Sequence, residues 1–128
     1  MLFDEPEHIA IMRESIRRFL DEEAPRSRVA EWDRQDRVPE SFFKQLACLG
    51  LGALTVPEEY GGVGPDYLAT MVAIEELARG SLAIASGYIM NACYGGMNIS
   101  ESGSERQKEE LLPRLVSGEL SFAYGLSE

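Results

Sequence analysis

The sequence contains few of the residues from which metal and redox centres are built. Its 128 residues include two cysteines and one histidine, whereas zinc sites are assembled from clusters of these two residue types. Cys48 and Cys93 lie far apart in the chain, so they form no paired motif, and both are expected to be buried free thiols. The sequence therefore predicts no metal site.

Positive charge is also scarce. Lysine and arginine total 12 against 22 aspartates and glutamates, which gives a formal net charge of −10. Such a surface repels phosphate backbones and anionic lipid headgroups, so binding to nucleic acid or to a membrane is not expected. The acidic amino terminus resembles neither a secretory signal nor an arginine-rich transit peptide, and the default prediction is a cytoplasmic location.

One long stretch has no charge at all. Residues 82–99 contain no aspartate, glutamate, lysine or arginine, and their number is close to that of a membrane span. The stretch also holds three glycines, two asparagines and a serine, which argue against a span. A buried helix is the better prediction.

Most of the chain has the spacing of helices. Hydrophobic residues make up 45% and charged residues 27% of the sequence, as in ordinary globular domains. Apolar residues recur every three or four positions, in runs separated by glycine and proline. Two helix starts are marked clearly, one by Asp66 and one by a capping box of Ser104 and Gln107. Residues 1–118 are therefore predicted to form an all-α domain, a bundle of five or six helices in an orthogonal or up-down arrangement.

The last segment has a different pattern. Residues 119–128 form an apolar run that reaches a glycine-containing turn, and this predicts a β-strand. A lone strand leaves a row of backbone N–H and C=O groups without partners. We therefore expect the pairing strands to lie outside the 128 residues, so that residues 119–128 begin a second domain of β type.

Several short segments, taken in order, are similar to one known family. They are AEWDR at 30–34, LGL at 49–51, VPEEYGG at 56–62, EELAR at 75–79, GSERQK at 103–108 and YGLSE at 124–128. Over essentially its whole length the chain resembles the amino-terminal helical domain of the acyl-CoA dehydrogenases. The resemblance implies an enzyme of three parts, a helical domain, a middle β domain and a carboxy-terminal four-helix domain, of which residues 119–128 would open the second.

The resemblance also implies a cofactor, a reaction and partners. The cofactor is FAD. A carboxylate removes the α-proton of an acyl-CoA thioester while the β-hydrogen leaves as hydride to flavin N5, and positioning of the reacting groups supplies much of the catalysis. The implied partners are the acyl-CoA substrate, an electron-transferring flavoprotein as acceptor, and further copies of the chain in a dimer or tetramer.

Six residues receive roles from the resemblance. Tyr124, Leu126 and Ser127 correspond to positions that line the isoalloxazine ring, with the Ser127 hydroxyl as the donor toward N5. The uncharged helix corresponds to the wall of the acyl site, where the expected lining residues are Ser86, Ile89 and Met90.

No catalytic residue is assigned in this chain. The family's base is a glutamate that usually lies in the carboxy-terminal domain, and nothing in the sequence matches it. The pairs at 58–59 and 75–76 are adjacent glutamates, which do not face each other on a helix and are expected to point into solvent.

Two alternatives stay open. An acyl-CoA oxidase, a nitroalkane oxidase or a flavin-dependent monooxygenase would share the fold and differ in acceptor or substrate. A free-standing helical interaction domain would need no flavin at all. For residues 1–128 alone we expect neither bound FAD nor acyl-CoA oxidation.

Overall fold

The computed structural model describes residues 4–127, and these form an all-helical bundle, as predicted. Residues 82–102 are one continuous helical stretch, in which α5 passes through a π-helical segment, Met90–Met97, into α6. The α-helices are α1 (Glu7–Glu23), α2 (Arg26–Arg34), α3 (Glu40–Ala47), α4 (Tyr67–Gly80), α5 (Leu82–Ile89), α6 (Asn98–Ser102) and α7 (Glu105–Val116). When residues 82–102 are taken as one unit, the described residues contain six longer helices and two short 3₁₀ helices, Leu51–Ala53 and Glu58–Tyr60, in the loop between α3 and α4.

The predicted helix starts are confirmed by their side-chain hydrogen bonds. Asp66 accepts a bond from the backbone N–H of Ala69 at 2.9 Å and caps α4. At α7 the Ser104 hydroxyl accepts from the Gln107 N–H, and the Gln107 side chain accepts from the Ser104 N–H. Both arrangements satisfy N–H groups that the first helical turn leaves free.

The main core lies between α1, α3, α4 and α5. Ile16, Leu77 and Ile84 are fully buried in it. Phe42 of α3 contacts the rings of Phe19, Trp32 and Phe43, at centroid distances of 5.4, 5.1 and 5.9 Å. This aromatic cluster anchors α2 to the bundle through its Trp32 ring, whereas none of the residues of α2 is fully buried.

The loop between α3 and α4 is attached to the uncharged helical stretch by two buried hydrogen bonds. The Tyr88 hydroxyl donates to the Leu51 carbonyl at 2.9 Å, and the Thr55 hydroxyl donates to the Ala92 carbonyl at 2.8 Å. These bonds hold residues 88–92 in place from the inner side. Neither bond involves the outer side of the same stretch, which can therefore contact other groups.

Residues 120–127 have no regular secondary structure, and no second extended segment lies beside them within residues 4–127. The assignment of residues 119–128 to a β domain stays a prediction, and Glu128 lies outside the described residues. The expectation that both cysteines are buried is wrong: Cys48 is exposed and Cys93 is half-buried, although both thiols are free, as predicted.

The uncharged stretch is buried on one side only. Ile84, Ala85 and Tyr88 face the core, whereas Leu82 is 73% exposed. Among the described helices, none is both long enough and apolar enough to cross a bilayer.

Candidate functional site

The predicted acyl-wall residues lie on the outer side of the uncharged stretch. Ser86 is exposed, and Ile89 and Met90 are half-buried, while Tyr88 and Ala92 between and beside them are buried in the core. The stretch therefore presents uncharged side chains outward at intervals of three or four residues. A row of this kind is suited to contact with an apolar ligand or a neighbouring domain.

The predicted flavin-lining residues lie on residues 120–127, the tail. Tyr124 is 47% exposed, Leu126 is 70% exposed, and Ser127 is also exposed. The tail has no regular secondary structure. Its exposed ring, aliphatic chain and hydroxyl are thus accessible from outside the bundle.

Tyr94 joins the tail to the helical stretch that carries the predicted acyl-wall residues. The rings of Tyr94 and Tyr124 stack with centroids 5.0 Å apart and an interplanar angle of 19°. Tyr94 is 38% exposed and lies four positions after Met90 on the same helical stretch. The tail therefore contacts the same helical stretch that carries the predicted acyl-wall residues.

Two other residues of the π-helical segment also contact the tail. Asn91 Oδ1 accepts a hydrogen bond from the Phe122 N–H at 2.7 Å. Gly95 lies against the Phe122 side chain, and a Cβ at position 95 would stand 3.0 Å from the Phe122 Cβ. Sequence reasoning missed Asn91 and Tyr94, although Tyr94 continues the four-residue spacing of Ser86 and Met90.

The expectation that both glutamate pairs point into solvent is wrong for Glu76. Its side chain is 1% exposed, whereas that of its neighbour Glu75 is 63% exposed. Arg17 donates two hydrogen bonds to the Glu76 carboxylate, each of 2.8 Å, and Arg79 donates one of 2.9 Å. Arg13 donates a further bond. The carboxylate thereby joins α1 to α4.

The arginines also determine the protonation of Glu76. Hydrogen bonds from Arg17, and then from Arg13 and Arg79, lower the pKa of the carboxyl from 4.5 to about 2, while burial acts in the opposite direction. Asp66 likewise has a lowered pKa, chiefly because the Ala69 N–H donates to its carboxylate. A general base works best when its pKa lies near the working pH. The lowered pKa values keep both carboxylates ionised at neutral pH, which suits a structural role and not that of a general base.

Stability at acid pH is expected to depend on Glu76. Because the pKa is lower in the folded chain, the contribution of this carboxylate is complete above about pH 4.5 and is lost as the pH falls toward 2. We expect the difference in unfolding free energy between the wild type and Glu76→Gln to shrink by about 2 kcal/mol between pH 5 and pH 2. Urea unfolding followed by the fluorescence of the single tryptophan measures it. If the unfolding free energies of the wild type and Glu76→Gln changed with pH in parallel, the lowered pKa of Glu76 would be contradicted.

Comparison with known proteins places the fold. Residues 6–119 match the family described as "Acyl-CoA dehydrogenase, N-terminal domain". The chain belongs to the acyl-CoA dehydrogenase family. The resemblance noted in the sequence is thereby confirmed across nearly all of the helical part.

Two relatives illustrate how much of a family member the chain represents. It is 34% identical over 120 residues to the mitochondrial isovaleryl-CoA dehydrogenase of Pongo abelii, a match that covers 91% of this chain and 28% of the relative. It is 38% identical over 128 residues to the probable acyl-CoA dehydrogenase FadE25 of Mycobacterium tuberculosis, covering 99% and 32%. The chain thus spans about a third or less of the length of these acyl-CoA dehydrogenases.

Solved structures of the family share the fold. A glutaryl-coenzyme A dehydrogenase in complex with glutaryl-CoA superposes with a TM-score of 0.89 at 30% identity, covering 100% of this chain and 33% of the other. An acyl-CoA dehydrogenase of Bacillus anthracis complexed with FAD gives 0.81 at 29% identity, covering 98% and 22%. A structure described as the electron transferring flavoprotein of Acidaminococcus fermentans gives 0.83 at 26% identity, covering 94% and 32%. The acyl-CoA dehydrogenase helical domain is therefore the fold of this chain.

Proposed function

We propose that the chain is the amino-terminal helical part of a flavin-dependent enzyme that introduces a double bond between the α- and β-carbons of an acyl-CoA thioester. The observation that carries this proposal is the stack of Tyr94 on Tyr124 at 5.0 Å. This stack supports the proposal because it attaches the predicted flavin-lining tail to the helical stretch that carries the predicted acyl wall, and a reaction between acyl chain and flavin requires the two to lie close together. The helical domain is proposed to cover residues 1–118, and residues 119–128 to begin the β domain.

The tail has the chemistry that an isoalloxazine ring needs on one side. Tyr124 and Leu126 offer exposed apolar surface, and the exposed Ser127 hydroxyl is a hydrogen-bond donor that could serve a ring nitrogen. FAD, when bound, accepts the hydride that leaves the β-carbon. One solved relative is described as complexed with FAD. We propose that Tyr124, Leu126 and Ser127 hold part of this cofactor.

The outer side of the uncharged stretch is proposed to receive the acyl chain. Ile89 and Met90 are half-buried, so the outward part of each side chain can contact a ligand while the inward part is held by the bundle. No charge lies along residues 82–99. Ser86, Ile89 and Met90 would thereby exclude water from the acyl chain and position it.

The catalytic base is proposed to lie outside this chain. Every carboxyl group of the described residues with a resolved shift has a lowered pKa, because each accepts hydrogen bonds from a cation, a backbone N–H or a hydroxyl. This is opposite to the upward tuning that a glutamate base needs near neutral pH. Residues 1–128 alone are therefore proposed to be inactive.

The remaining proposals concern partners and location. An electron-transferring flavoprotein is the proposed acceptor, and a dimer or tetramer is the proposed assembly of the longer protein. One similar structure is described as an electron transferring flavoprotein. The cytoplasm is the proposed compartment, since the free thiols of Cys48 and Cys93 are compatible with a reducing environment.

The proposal is tested by purifying the longer protein that carries these residues. We expect bound FAD and bleaching of its absorbance when an acyl-CoA is added without oxygen. Ser127→Ala is expected to weaken FAD binding about fivefold, because it removes one hydrogen bond to the ring. Ser117→Ala, at the exposed end of α7, is the matched control and is expected to leave FAD binding unchanged.

The reoxidation step separates the related enzymes. Rapid reoxidation by an electron-transferring flavoprotein and slow reoxidation by oxygen support a dehydrogenase, whereas rapid turnover with oxygen indicates an oxidase. Absence of flavin from the longer protein, or flavin that no acyl-CoA reduces, would overturn the proposal.

A further inference from the structure

Beyond Leu120, whose N–H donates to the Arg114 carbonyl of α7, the tail is joined to the bundle by few contacts, and these converge on one helical segment. Between residues 121–127 and the described helices, one hydrogen bond is formed, from the Phe122 N–H to Asn91 Oδ1. The stacked rings of Tyr94 and Tyr124 form a second contact, and the packing of Phe122 on Gly95 forms a third. All three partners belong to the π-helical segment.

These contacts lie at or just before the proposed flavin-binding residues in the chain. Phe122 and Tyr124 alternate along the tail with Ala123 and Gly125, and the proposed flavin contacts at 126 and 127 follow directly. Between described residues, no hydrogen bond holds Leu126 or Ser127 to the bundle. Their placement therefore depends on the anchors at 122 and 124.

We infer that Asn91 and Tyr94 are positioning residues, which hold the tail so that Tyr124, Leu126 and Ser127 present one surface to the flavin. This inference rests on the proposed function for the identity of the ligand. Asn91 holds the tail at a set position along the helical stretch, because its Oδ1 accepts a hydrogen bond from the Phe122 backbone N–H. This bond does not depend on the side chain at position 122. Tyr94 fixes the plane of the Tyr124 ring.

The choice of these side chains agrees with the inference. Asn91 is half-buried and lines a mainly apolar cavity with Leu46, Leu51 and Leu115, where an unpaired amide would be costly, and its Oδ1 accepts a hydrogen bond from the tail. Short π-helical segments are rare and occur often at functional sites. Here the segment carries the three partners of Phe122 and Tyr124 within residues 91–95.

The anchoring itself is tested on the 128-residue chain, without flavin. Asn91→Ala is expected to raise the hydrogen-exchange rate of the Phe122 amide roughly tenfold, because its acceptor is lost. Asn91→Asp keeps an oxygen at that place and is expected to retain the protection. Asn98→Ala changes an exposed asparagine on the same helical stretch and serves as the matched control.

The positioning role is tested on the longer protein with FAD. Asn91→Ala is expected to weaken FAD binding about fivefold, and Tyr94→Ala roughly tenfold. Both are expected to alter the visible circular dichroism of the flavin, which reports its orientation. Asn91→Asp and Tyr94→Phe are expected to retain the FAD affinity and the flavin circular dichroism of the wild type, since Asp keeps the acceptor oxygen and Phe keeps the ring.

The outcomes separate this inference from the proposed function. If the wild type binds FAD and the alanine variants expose the Phe122 amide without changing FAD affinity or the flavin spectrum, the positioning role is overturned and the proposed function stands. If Asn91→Ala leaves the Phe122 amide protected, the anchoring is overturned directly. If the wild type binds no FAD, both fail, although the amide exchange still establishes whether the tail is anchored.

Discussion

Replacement of Glu76 by alanine is expected to lower the free energy of unfolding by about 3 kcal/mol, since it leaves a cluster of arginines without its buried anion. The side chain of Glu76 is 1% exposed and accepts hydrogen bonds from Arg13, Arg17 and Arg79. Arg13 and Arg17 belong to α1, so the loss also weakens the attachment of α1 to α4. Urea unfolding at pH 7, followed by fluorescence, measures the change.

The adjacent residue provides the control. Glu75 also accepts a hydrogen bond from Arg13, at 3.0 Å, but its side chain is 63% exposed. Exposed ion pairs contribute little, so Glu75→Ala is expected to change the unfolding free energy by about 0.5 kcal/mol or less. Similar losses for the two variants would show that burial of Glu76 does not govern the stability of this contact.

Substitution of Gly62 by alanine is expected to cost about 3 kcal/mol or more and to lower the melting temperature by about 10 °C. A Cβ at this position would stand 1.7 Å from the Val56 carbonyl oxygen and 2.4 Å from its carbonyl carbon. Both are backbone atoms, so no side-chain rotation relieves the overlap. The loop between α3 and α4 would have to move, and with it the Thr55 hydroxyl that donates to the Ala92 carbonyl.

Gly61 separates this effect from ordinary backbone strain. Gly61 has a φ of 92°, which disfavours alanine, but a Cβ there meets nothing within 4 Å. Gly61→Ala is therefore expected to cost about 1 kcal/mol. Thermal unfolding of both variants by circular dichroism makes the comparison. A loss for Gly62→Ala no larger than that for Gly61→Ala would contradict the close approach to Val56.

The helices were predictable where their signals are local. The Asp66 cap bonds a residue three positions away, and the Ser104 box closes over the same distance, so each is complete within a short piece of sequence. Local pattern and composition suffice for contacts of this kind.

The candidate site was only partly predictable. Ser86, Ile89 and Met90 lie on the outer side of the helical stretch, while Tyr124, Leu126 and Ser127 are exposed on the tail; their contact with ligands stays a prediction. The anchors of the tail were missed because each joins residues about thirty positions apart. The spacing of residues along the chain does not predict contacts over so long a separation.

The all-helical class, two helix starts and the family could be predicted from the sequence, because they depend on local pattern and on the order of short segments. The folded chain was needed to show that Glu76 is buried among three arginines, that Cys48 is exposed, and that the tail stacks on Tyr94. Burial and pairing are properties of neighbours in space. In this chain the decisive neighbours come from α1 for Glu76 and from the π-helical segment for the tail.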